Sequence, residues 1–228
     1  MKDNRQDRKN FFQDINTNLK ELAKFLDDKE VGKIHYCKKY RYFKIDTDFD
    51  NMRKELQNKI NDPIMNKSDI QVGWTVELCG KSDNITEEFF NRYIKDFDFK
   101  NDIKHFDHND KVHRGHYLAN MFKNYLLKDG LSSKNTSHFF GKGNIRNIYF
   151  QSAQSNTNST DVRGQSYFEN EIVKFLKEDD GRKVLFQIED YRVEEKSLGR
   201  RILAVFFDEN GNVSDEFGFH VIIPNVEI

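Results

Sequence analysis

Proline occurs only twice in 228 residues, and so does cysteine. With so little proline, no stretch of the chain reads as a rigid linker. Two cysteines, Cys37 and Cys79, without a CxxC pair, exclude a disulfide framework and a cysteine-based zinc site. No apolar run approaches the roughly 18 residues that a transmembrane helix needs. The first eight residues lack the apolar core of a secretory signal. The expected setting is therefore cytoplasmic and reducing, away from membranes, with export by a route other than Sec left open. An excess of positive charge is also missing. The net charge of −1 excludes the global basic signature of many nucleic-acid-binding proteins.

What is abundant is aromatic side chains and charge. Twenty-one Phe and nine Tyr offer large buried area per residue, although only 36% of the chain is hydrophobic and 33% is charged. This length can build one sizeable core. The charge is unevenly spread. Between positions 111 and 148 stand Lys111, Arg114, Lys123, Lys128, Lys134, Lys142 and Arg146, against Asp129 alone. A basic face on an acidic body attracts a polyanion while limiting non-specific adhesion. A lysine-rich solvated loop region would leave the same trace.

Periodicity predicts an α+β protein. Helices are expected over residues 11–26, 52–60, 86–97 and 165–177, the last with Phe168, Ile172, Phe175 and Leu176 as its apolar stripe. Residues 34–45, 70–78, 145–151, 183–193, 200–207 and 217–223 read as extended, and an Asn-Gly at 210–211 marks a hairpin turn. Residues 97–111, 131–144 and 152–164 read as loops. The chain is expected to divide into an accessory helical and extended segment, 1–70, and a main domain, 71–228, packed as one unit.

Chemistry gathers around His113-Arg114-Gly115-His116 and the later Asn147, Asn156 and Glu169. Hydrolysis of a phosphodiester needs a base for the attacking water, and charge stabilisation at the phosphorane and the leaving oxygen. A neutral imidazole suits the first task near neutral pH. A hard divalent cation held by oxygen ligands and waters suits the others. His116 supplies an imidazole, and Gly115 permits close backbone approach. Arg114 supplies a planar donor fork, and Asn156 and Glu169 supply oxygen donors. Taken alone, His116 also reads as a hydrogen-bonded core histidine, and Glu169 as an ordinary helical ion-pair partner.

At these residues the sequence resembles the DNA/RNA non-specific endonucleases with a ββα-metal (His-Me) finger, notably the bacterial DNA-entry nuclease and streptococcal DNase branch. Gly73-Trp74, His113-Arg114-Gly115-His116-Tyr117-Leu118, Asn147-Ile148-Tyr149-Phe150-Gln151-Ser152-Ala153, Gly164-Gln165-Ser166-Tyr167-Phe168-Glu169 and Ile222-Ile223-Pro224-Asn225-Val226 are five ordered blocks similar to that family's. The resemblance implies an antiparallel sheet core with a ββα-metal finger, extended at the N-terminus by helix. It implies His116 as general base and Asn156 as direct Mg²⁺ ligand, with Mn²⁺ as a substitute. Glu169 would hold metal-bound waters, and Asn147 would hold the active-site geometry. Arg114, Arg163, Lys111, Arg146 and Gln151 would serve substrate or its surroundings. His113 departs from the family pattern, which has Asp there.

The implied activity is Mg²⁺-dependent, non-specific cleavage of DNA, with RNA as a second substrate. The implied role is a toxin or antiviral-defence effector restrained by an inhibitor, immunity or regulatory protein. Two alternatives remain beside it. One is a nuclease-fold module that binds nucleic acid or protein without cutting. The other is a zinc-dependent hydrolase built on His105, His108, His113 and His116.

Overall fold

The computed structural model describes Leu22, Lys24 and Leu26, then residues 32–67, 71–80, 112–126, 137, 139–141, 144, 146–178, 181–193, 196–214 and 216–225. The helix expected over 86–97, most of that over 11–26, and the loop 97–111 with His105, His108 and Lys111 lie outside the described residues. Leu22, Lys24 and Leu26 are helical.

Seven strands form one antiparallel sheet: β1 (Ile34–Cys37), β2 (Tyr42–Ile45), β3 (Pro63–Met65), β4 (Gln71–Cys79), β7 (Lys183–Val193), β8 (Lys196–Phe207) and β9 (Phe219–Pro224). Their spatial order is β1-β2-β9-β8-β7-β4-β3. The segment before residue 70 therefore supplies three of the seven strands. The central strands carry nearly continuous apolar runs because both faces are covered. Val184, Phe186 and Ile188 of β7 face one core, while Leu185 faces another. On the second face lies α1 (Phe49–Gln57), capped by the Asp48 carboxylate and burying Leu56 against Leu185, Leu203 and Val205.

The first face carries α4 (Gln165–Glu178), whose Phe168, Ile172, Phe175 and Leu176 are buried as its sequence stripe predicts. Over the same core lie Tyr117, Leu118, Phe122 and Leu126, from the bend and the short helical turns 120–122 and α2 (Lys123–Leu126). A separate two-stranded ribbon joins β5 (Val112–His116) to β6 (Ile148–Ser152), with His116 opposite Ile148 and His113 opposite Gln151. After β6 come α3 (Ala153–Asn156) and then α4, so helix follows the second strand of the ribbon. Two details depart from expectation. Ser152 caps α3 through its hydroxyl inside a stretch expected to be loop, and Ser137 and Phe139 are helical inside another.

Candidate active site

One arginine of the sheet reaches the ribbon β5/β6. Arg200 of β8 is 1% exposed. Its Nη1 donates to the His116 carbonyl (2.6 Å) and to Gln165 Oε1 (2.6 Å), and its Nη2 donates to the Gly115 carbonyl (2.9 Å). A buried guanidinium is costly unless paired, and both terminal nitrogens of Arg200 are hydrogen-bonded. Gly115 has no room for a side chain. A Cβ there would lie 2.2 Å from Gln151 Oε1 and 3.1 Å from Arg200 Nη1. The close backbone approach expected at Gly115 is thus made by Gln151 and Arg200.

Beyond β5 the chain turns under the control of Asn147, which is fully buried. Its side-chain oxygen accepts from the Leu118 amide (2.8 Å), its side-chain nitrogen donates to the Leu118 carbonyl (3.0 Å), and its own carbonyl accepts from the Tyr117 amide (2.7 Å). Asn147 is therefore a positioning residue. The turn that presents it is pinned in turn, because Trp74 Nε1 donates to the Arg146 carbonyl (2.9 Å).

The His116 imidazole meets the Phe140 carbonyl at 3.0 Å through Nε2. A carbonyl only accepts, so Nε2 carries the proton and Nδ1 presents its lone pair. Burial lowers the pKa of His116 below the ordinary histidine value, and the nearby Arg200 charge lowers it further, against the Phe140 hydrogen bond. The carbonyl that selects this tautomer is itself steadied, since Asn144 Nδ2 holds the adjacent Phe139 carbonyl at 2.9 Å.

Glu169 of α4 is buried, with Gln165 Nε2 donating to its Oε1 at 2.6 Å. The same nitrogen donates to the His116 carbonyl (2.6 Å). Burial pushes the Glu169 carboxyl up to about 7, against the Gln165 bond and the Arg200 charge. Asn156, at the end of α3, gives its Nδ2 to His113 Nδ1 at 3.1 Å. An amide nitrogen only donates, so His113 acts as the acceptor and turns Asn156 Oδ1 away from itself. Among the described residues, Oδ1 makes no hydrogen bond. At the position where the resembling family has Asp, an imidazole nitrogen takes the acceptor part.

These residues fall into two groups, His116 with Glu169 through Gln165, and Asn156 with His113. Among the described residues no hydrogen bond joins the groups directly. Gln151 is fully buried and donates to the Ser155 carbonyl (3.0 Å), so it supports α3 and cannot meet substrate. Arg163 lies between two rings, 3.9 Å from the Tyr40 centroid and 4.2 Å from that of Tyr167. Arg114 is half-buried on β5, opposite Phe150. Arg146 contributes its carbonyl to the anchor on Trp74. Of the four histidines in the zinc alternative, two lie outside the described residues. Among the described residues no three His, Cys, Asp or Glu side chains gather as a metal cluster.

Sequence reasoning gave no role to Arg200, Gln165, Asn144 and Asn225, although Gln165 and Asn225 stand in two of the resembling blocks. Asn225 Oδ1 accepts from the Ser152 amide (2.6 Å) and the Ser155 hydroxyl (3.1 Å), tying α3 to the end of β9. Arg200 carried one signal, a charged residue at the head of an apolar strand.

Among solved structures, the chain is similar to NucA from Streptococcus agalactiae with magnesium ion bound, at 13% identity and a TM-score of 0.52, over 94% of this chain and 89% of that one. The fold is similar to that of a nuclease. Lower scores relate it to an extracellular endonuclease (13% identity, TM-score 0.41, over 72% of this chain and 76% of that one) and to Sda1 nuclease with bound zinc ion (14%, 0.36, over 86% and 75%). No protein-family model and no curated protein sequence matches the chain.

Proposed function

We propose that this protein is a metal-dependent endonuclease that hydrolyses DNA, and RNA as a second substrate, with little sequence preference. The observation that carries the reading is the state of His116. The imidazole is half-buried, has its pKa lowered, and is fixed by Phe140 in the tautomer that leaves Nδ1 able to take a proton. A base so prepared accepts the proton of a water as that water attacks phosphorus.

The oxygen donors fit a hard cation. Asn156 offers an Oδ1 that no described residue uses, since its amide nitrogen is the atom that meets His113, and Glu169 offers a buried carboxyl. Asn156 would hold Mg²⁺ or Mn²⁺ directly, and Glu169 would act on its waters. Such an ion supplies charge stabilisation at the phosphate and at the leaving oxygen. NucA, similar in fold, was solved with magnesium bound. Arg200 and Gln165 hold the carbonyl of His116 and so fix where its ring is carried. Arg114, Arg146, Arg163 and Lys111 are the proposed phosphate contacts. An unrestrained nuclease of this kind harms its own cell, and the proposed role is a toxin or defence effector held by an inhibitor or immunity protein.

The test is supercoiled plasmid DNA and a structured RNA incubated with Mg²⁺, with EDTA and His116→Ala as controls. Cutting by the wild type that EDTA abolishes, and that falls at least about 100-fold in His116→Ala, is expected. Equal cutting by His116→Ala removes His116 from the mechanism. No cutting with any divalent metal leaves a nucleic-acid-binding module as the surviving reading.

A further inference from the structure

A second basic segment lies far from the first in sequence. Between positions 33 and 45 stand Lys33, Lys38, Lys39, Arg41 and Lys44, with no Asp or Glu. Four of the residues, Lys38 to Arg41, make the turn between β1 and β2. This turn is tightly made: the Tyr40 and Arg41 amides both donate to the Cys37 carbonyl (3.2 and 2.7 Å), and Arg41 takes a φ of 58°. A non-glycine residue in that region of backbone space is uncommon and is retained here by the two bonds.

The turn is fastened to the loop that leads away from the candidate metal ligand. The Arg163 amide donates to the Tyr40 carbonyl (3.0 Å), and the Arg163 guanidinium lies between the Tyr40 and Tyr167 rings. Arg163 also bridges to Asn158, two residues beyond Asn156. The loop is closed so tightly that a Cβ on Gly164 would lie 1.8 Å from the Thr157 carbonyl oxygen. The basic turn is therefore held in a set position relative to α3, through backbone as well as ring contacts.

We infer that the β1–β2 turn is a substrate-binding arm, which grips the phosphodiester backbone of nucleic acid flanking the scissile bond. This inference rests on the nuclease reading and assigns a part of its substrate surface to the N-terminal segment. The chemistry of the arm selects phosphate over bases. Lys38 and Lys39 are exposed cations. The Tyr40 ring has Arg163 at 3.9 Å and the Lys39 ammonium at 4.9 Å from its centroid, so it organises cations and offers no open platform for a base. Packed against both rings and paired with the Tyr42 hydroxyl, the Arg163 guanidinium can donate its remaining N–H groups to a phosphate oxygen. Contacts of this kind add affinity without reading sequence.

The test uses the full chain with His116→Ala, which leaves bound DNA uncut, and a fluorescent DNA duplex without a special sequence, titrated at several salt concentrations. Adding Lys38→Ala and Lys39→Ala should weaken binding about 5- to 20-fold at low salt and make the log K against log salt slope shallower by about two contacts' worth. Removing Lys54 and Lys59, on and beside α1 at the other face of the sheet, should leave the slope unchanged. Unchanged affinity and slope in the Lys38/Lys39 variant, while the parent protein binds DNA, overturn the arm and leave the nuclease reading standing; the turn's charge then belongs to another partner, such as an acidic protein. Weaker binding with an unchanged slope also overturns it, because no ionic contact has been lost. Failure of the parent protein to bind DNA or RNA at all removes the nuclease reading and the arm together.

Discussion

At the scale of single residues, the arrangement around His116 fixes how activity should follow pH. The proposed base works as neutral imidazole. Burial and the Arg200 charge lower its pKa, so the fraction in working form rises with pH and is already high at the ordinary histidine value of about 6.5. The part of the acid limb of kcat/KM that belongs to His116 should therefore lie below that value, while Glu169, pushed up to about 7, adds a limb of its own. A limb at or above pH 6.5 that persists in Glu169→Gln would contradict the environment described for the ring. His113 gives a second expectation. Its part is to accept a hydrogen bond from Asn156, and a carboxylate can do the same. His113→Asp should keep the Mg²⁺ requirement within a few-fold. His113→Ala should raise the Mg²⁺ concentration for half-activity by about 10- to 100-fold, as loss of a group that orients a metal ligand commonly does. Equal behaviour of the Ala and Asp variants would show that the bond to Asn156 has no such part.

At the scale of elements, much was legible in the sequence. The stripe Phe168, Ile172, Phe175 and Leu176 turns to the core as its spacing predicts. The apolar runs of β4, β7, β8 and β9 are strands. Less visible were elements whose reason lies elsewhere in the chain. α3 forms in a run of small polar residues because Ser152 caps it and Asn225, seventy residues from Ser155, holds its first turn. β3 is three residues long and exists as a partner of β4. Arg200 looks like a surface charge until its four acceptors, His116, Gln165, Gly115 and Tyr149, are known. The site was legible as a set of residue types and not as an assembly. The sequence offered no sign that the Phe140 carbonyl selects the His116 tautomer, nor that Gln165 sits between His116 and Glu169. One anchor can be tested by itself. Asn225→Ala leaves the Ser152 amide without its partner in a buried place, which should cost about 1–3 kcal/mol. Urea denaturation should show that loss, and cleavage should fall with it because Asn156 rides on α3. Full activity at undiminished stability would show that β9 does not hold the helix.

At the scale of the molecule, the sheet is a carrier of polar networks on both faces. On the face away from the ribbon, Arg201 Nε donates to His220 Nε2 (2.7 Å), and His220 Nδ1 meets the Thr47 hydroxyl (2.7 Å). Arg201 also reaches Gln187, which in turn donates to Thr75 (2.9 Å). Burial, helped by the Arg201 charge, pushes the His220 pKa down to about 3. In the unfolded chain this histidine binds its proton near pH 6.5. As pH falls below that, the unfolded state takes up a proton that the folded state refuses until about pH 3, so stability is present above 6.5 and is lost across that interval. Unfolding free energy measured between pH 7.5 and 4.5 should fall more steeply for the wild type than for His220→Gln. Parallel slopes would mean that His220 is not held neutral.

The arginine that clamps β5 comes late in the chain. Arg200 follows His116 by 84 residues, and Asn225 follows Ser155 by 70. During synthesis, the histidine leaves the ribosome well before either anchor has been made. On the proposed nuclease reading, that order has a biological consequence: a nascent chain, surrounded by ribosomal RNA, carries its proposed base on a strand not yet clamped. The late position of these two anchors delays completion of the candidate site until almost all of the sheet has been translated.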